Sequence, residues 1–185
     1  MKRILMIAIA ALFISSGWTA GLGSASANNS QEKDSISSIR RRYATINKNL
    51  AKYRAVKKEL SGFSTEGGEL IAYFDGPAIV KIAATYYGET GRSFEEFYYR
   101  NEKLIFVFRK QDTYSEPMSG KVVKTRENRF YFSGDELFRW IDENAKQVAS
   151  SEYPKTQTQY LDSSKRFTEG ARSQQPTIEA PDPKP

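Results

Sequence analysis

From Glu69 onward the chain is a succession of β-branched and aromatic runs whose connections are too short to cross a sheet. ELIAYFD, AIVKIAATYY, SFEEFYYR and KLIFVFRK follow one another, separated by DGP, GETG and the Asn101-Glu102 pair. Val, Ile, Tyr and Phe suit a pleated, half-buried surface, and the intervening Gly, Pro, Asp and Asn suit turns. A parallel crossover needs a dozen or more residues, so each strand must lie antiparallel to the next. Strand order should then follow chain order. Beyond the DTYSEPMSG loop, KVVKTRENRFYF reads as a further hairpin turning near Glu127 and Asn128.

Helical spacing flanks these runs. Ile36, Ile39, Tyr43, Ile46, Leu50, Tyr53, Val56 and Leu60 recur three or four residues apart, with Asp34 or Ser35 placed to cap and Gly62 to stop. The spacing predicts one long helix. Ser133 and Glu136 stand as a capping box before a second helix, GDELFRWIDENAKQVA, with Leu137, Trp140, Ile141, Ala145 and Val148 as its stripe. QTQYLDSSKRF has short-helix character, but residues 151–185 as a whole read as weakly structured, ending in a Pro-rich polar tail. The expected fold is α+β: a long N-terminal helix, an antiparallel meander of five to six strands, and a C-terminal helix on one face of the sheet. Residues 28–150 would form that single domain.

The first 27 residues have the form of a signal peptide: a basic start, an apolar run from Ile4 to Ile14, and small residues at Ala25 and Ala27 before a cleavage point at Asn28. Export, to the periplasm or beyond, follows. Loss of Lys2 and Arg3 with this leader lowers the formal charge from +6 to +4. The chain has no cysteine, so an exported form folds without disulfides and without a thioether-linked lipid. It has no histidine, which removes Ser-His-Asp and Cys-His nucleophilic systems and His-based zinc sites. No phosphate loop, nucleophile elbow or metal-ligand spacing is present, so no cofactor or metal is expected. Of the carboxylate pairs, Glu95 and Glu96 must face opposite ways on a strand, and Asp135 and Glu136 fit a helix first turn. Glu66 and Glu69 flank a Gly-Gly turn with nothing further to support catalysis.

Two surfaces stand out as candidates. In KLIFVFR, alternation groups Leu104, Phe106 and Phe108 on one face and Ile105 and Val107 on the other, a strand covered on both sides. Tyr73, Tyr87 and Tyr99 are the candidate exposed aromatics, on a sheet face opposite the helices. The first helix carries eight basic residues and no acidic one between Ile36 and Lys58, among them Arg40, Arg41, Lys48 and Lys52. Such a face is either solvated or turned to an anionic surface. Nucleic acid is disfavoured, since no binding motif accompanies the charge.

STEGGELIAYFDG followed by KIAATYYGETGRSFEEFYYRNEKLIFVF resembles small uncharacterised secreted bacterial proteins in which a Gly-rich entry precedes an aromatic meander with a Tyr-Gly-Glu-x-Gly turn, here Tyr87 to Gly91. The resemblance spans residues 64–110 and implies a bacterial exported protein without implying an activity. The reading is a noncatalytic envelope module that presents aromatic and basic groups to a protein, peptide or cell-wall partner. The alternatives are an interaction protein dimerising through its first helix and a carboxylate-based hydrolase.

Overall fold

The computed structural model describes residues 23–181. The chain divides into two units, residues 1–34 and 35–185, and the second contains the sheet. Helix α1 (Gly23–Lys48) begins in the first unit, and its residues from 35 on belong to the second. Seven strands follow: β1 (Arg54–Ser61), β2 (Gly68–Asp75), β3 (Ala78–Gly88), β4 (Gly91–Arg100), β5 (Lys103–Tyr114), β6 (Val122–Ser133) and β7 (Glu136–Ile141). Helix α2 (Tyr153–Arg172) and a short strand β8 (Thr177–Glu179) complete the order. The signal-like run in residues 1–22 lies outside the described residues, and the expected cleavage point falls within α1. Among the described residues no helix is long and apolar enough to cross a membrane.

All eight strands form one sheet, in the order β7-β6-β5-β4-β3-β2-β1-β8. β1 to β7 pair antiparallel with their chain neighbours, as the short turns require. β8 joins β1 in parallel, which makes the sheet mixed.

The fold is α+β with a largely antiparallel sheet, but the expected element list is wrong at both ends. The first helix does not reach Leu60: it ends at Lys48, and Arg54–Ser61 is β1. Val56 and Leu60, four residues apart, fit a helix stripe and an alternating strand equally well. Lys58, between them, decides the case. It is buried, and its Nζ donates to the carbonyl oxygens of Ser173 (2.8 Å) and Gln175 (2.5 Å) just past α2. The negative end of a helix dipole suits an ammonium there. A lysine counted with the basic helix face is thus an internal tie.

At the other end, no helix opens at Ser133. Gly134 and Asp135 both have positive φ (58° and 68°) and turn β6 into β7. That is the backbone of a two-residue hairpin turn, which Gly-Asp chemistry serves as well as a capping box. Nor is there a turn at Glu127 and Asn128, since β6 runs unbroken through them. The C-terminal helix is α2, in the segment expected to be loose. Pro154 sits in its first turn, where no N–H is needed. Tyr153, Tyr160, Ser164, Phe167 and Ala171 form its buried stripe. Gly170 lets β8 close on it, since a Cβ there would lie 2.5 Å from Ile178 Cδ1.

Three hairpins share one irregularity. Pairing slips between Tyr73 and Phe74, between Tyr98 and Tyr99, and between Tyr131 and Phe132. Opposite each slip the partner strand carries one extra residue: Val80, Ile105 and Phe138. An extra residue resets the alternation of side chains. All three pack on the α1 side of the sheet, with Tyr98, Phe106 and Tyr131 and with Ile36, Ile39 and Ile46 of α1. The other face packs Leu70, Phe97, Leu104, Val107 and Phe130 against Tyr160 and Phe167 of α2. Leu104 is therefore separated from Phe106 and Phe108, with which simple alternation had grouped it. Phe167 is fully buried among these rings, so Phe167→Ala should lower the unfolding free energy by about 3–5 kcal/mol in urea titration, whereas a loose tail would show no change.

Candidate functional site

On the α1 side the helix leaves a groove of about 460 Å³ along β5 and β6. Ile39, Arg40 and Tyr43 of α1 form one wall, and Phe106 and Phe108 of β5 with Glu127, Arg129 and Tyr131 of β6 form the floor and the other wall. The floor is aromatic because the bulge at Ile105 brings Phe106 and Phe108 to this face. Tyr43 stacks into it, its ring 4.9 Å from Tyr98 and 5.8 Å from Phe106, yet remains 38% exposed. Arg129 lies over the Phe108 ring at 5.5 Å and is paired to Glu127 at 2.7 Å. That pair fixes one cation and cancels its charge. Arg40 is exposed at the rim, and among the described residues it has no hydrogen bond or ion pair.

The wall formed by α1 is pinned by polar ties. Lys81 is buried at the foot of the helix, with Nζ donating to Glu96 at 2.6 Å and to Asn47 Oδ1 at 2.9 Å. The Tyr98 hydroxyl donates to Glu96 at 2.6 Å and accepts from Asn47 Nδ2 at 3.0 Å. Burial, reinforced by the Glu96 charge, pushes the Tyr98 hydroxyl well above the ordinary tyrosine range, so it stays a donor. Arg100 donates to the Ser38 carbonyl (3.1 Å) and hydroxyl (3.0 Å). Lys81→Ala should cost about 3 kcal/mol, because it leaves the Glu96 carboxylate without its counter-charge and Asn47 Oδ1 without its lysine donor; urea titration measures it.

Glu95, one residue from Glu96, points to the α2 side. It is buried, accepts from the Tyr86 hydroxyl at 3.2 Å, and lies 3.6 Å from Arg109 Nε. Burial raises its pKa against the opposing charge of Arg109 and the hydrogen bond from Tyr86. A carboxyl whose folded pKa is raised favours the folded state while protonated and loses that contribution as pH climbs from the ordinary glutamate range through the raised value. As pH rises above the ordinary glutamate range, the wild type should therefore lose stability relative to Glu95→Gln, as read from urea midpoints at each pH.

The structure brings few of the sequence candidates together. Arg40 lines the groove. Arg41 is exposed elsewhere on α1, Lys48 is exposed in its last turn, and Lys52 is exposed in the turn before β1. The three tyrosines do not share a face. Tyr73 is half-buried in the α1-side cluster. Tyr99 is 1% exposed on the α2 side, hydrogen-bonded to Ser164 at 3.1 Å. Tyr87 is exposed on β3, beside the Lys57–Glu69 ion pair. The face opposite the helices, on which they were expected, does not exist, because each face carries a helix. Tyr43, Phe106, Phe108, Glu127, Arg129 and Tyr131 were missed as site residues. The Tyr131-Phe132 doublet, a repeat of Tyr98-Tyr99 before a turn, was the one signal that pointed to them.

Comparison of the chain with protein-family models, with curated proteins and with solved structures gives no match.

Proposed function

We propose that this protein is an exported, noncatalytic binding module of the bacterial envelope, and that the groove beside α1 is its recognition surface. The observation that carries the reading is the pairing of an aromatic floor with a rim guanidinium, Arg40, that has no ion pair among the described residues. Such a groove suits a ligand that places an apolar or aromatic group on Phe106 and Phe108 and a negative charge against Arg40. Its volume suits a short peptide segment or one unit of an anionic cell-wall polymer. The leader-like residues 1–27 support export, and the resemblance over residues 64–110 supports a bacterial source. Dimerisation through the first helix has less support, because Ile36, Ile39 and Ile46 are buried on their own sheet.

The test is retention of the purified chain on immobilised anionic cell-wall polymer and on envelope peptides. Arg40→Glu and Tyr43→Ala, both at exposed positions, should each weaken retention about tenfold, or about 1.4 kcal/mol. Unchanged retention in both variants would exclude the groove.

A further inference from the structure

β7 pairs with β6 only from Arg129 to Ser133. The preceding half of β6, Val122 to Asn128, pairs with β5 on its inner side. Among the described residues no backbone hydrogen bond reaches its outer side. Residues 121–126 are all exposed, Val123 at 59% and Val122 at 39%. A row of outward N–H and C=O groups on a twisted sheet is a template for another strand.

The side chains along this edge select the strand. Lys124 and Arg126 lie on the α2 face, opposite Thr113 and Gln111 of β5. Thr125, opposite Asp112, lies on the α1 face, and so does Val122, opposite Tyr114, because pairing slips between Thr113 and Tyr114 and leaves Val123 as an extra residue. Among the described residues Lys124 has no ion pair, and Arg126 has a loose one, 3.8 Å from Glu143. A second copy is a poor occupant. Antiparallel pairing about Thr125 would set Lys124 against the copy's Arg126, and parallel in-register pairing would set Lys124 against itself; like charges directly opposite are destabilising. The same charges welcome carboxylates.

We propose that the outer edge of β6, Val122 to Asn128, binds an extended partner segment by strand addition, and that the segment alternates acidic with apolar residues. Acidic side chains meet Lys124 and Arg126, and apolar ones lie beside Val122 and Thr125. The inference goes beyond the groove and does not require it.

The test uses the full chain and a fluorescein-labelled octapeptide of alternating glutamate and valine. Three controls accompany it: the lysine–valine counterpart, a glutamate–valine peptide methylated on alternate backbone nitrogens, and the Lys124→Glu variant. Anisotropy should show binding of the glutamate–valine peptide, at least about tenfold weakening by N-methylation and by Lys124→Glu, and no binding of the lysine–valine peptide. Amide chemical shifts should move along residues 122–128. Absence of binding, equal affinity for the methylated peptide, or shifts elsewhere would overturn the proposal, as would a dimer by light scattering with residues 122–128 at its interface. Arg40→Glu separates the two readings: edge binding persists in it, whether or not groove binding does.

Discussion

Everything on the α1 side of this sheet depends on one backbone device used three times. A single extra residue, Val80, Ile105 or Phe138, sits opposite each aromatic doublet near a hairpin turn. Without it, strict alternation would send half of the apolar residues to the wrong face. With it, two consecutive residues of one strand serve the same side, and that side gains enough apolar surface to seat a helix. The remaining alternation supplies a second apolar face for α2. A sheet with two apolar faces must be covered twice, and the chain provides one helix from each end.

This geometry explains which parts of the fold were legible in the sequence. The hairpins of β2 to β5 were, because their turn residues and β-branched runs agree. The ends were not. Val56 and Leu60 satisfy two periods at once, and the pairing of the segment with β2 and β8, with Lys58 buried against the carbonyls past α2, settles it as a strand. Gly134 and Asp135 fit a cap and a turn alike, and the pairing of β7 with β6 settles which. α2 looked loose because its stripe is built from tyrosines, a serine and one phenylalanine, polar in composition yet buried through Tyr160 and Phe167.

The candidate site was less legible than the fold. Arg40 was identified as part of a charge run, but its distinction is that Arg129, across the groove, is already neutralised by Glu127, while Arg40 has no ion pair among the described residues. The exposed-tyrosine reading failed because two of the three tyrosines are packing residues. The aromatic floor of the groove is set by the bulge at Ile105, which no spacing rule reveals. The aromatic residues divide between core and surface. Phe97, Tyr98 and Tyr99 are buried, while Tyr43 and Phe108 border open space.

The sheet is closed where the bulges seat α1 and open along the outer half of β6. Residue-resolved amide hydrogen exchange on the free protein tests this most directly. Slow exchange is predicted in β3, β4 and β5, in α2, in residues 35–48 and in residues 129–133. Fast exchange is predicted at alternate amides of residues 122–128. Uniform protection along all of β6, or rapid exchange through residues 35–48, would contradict it.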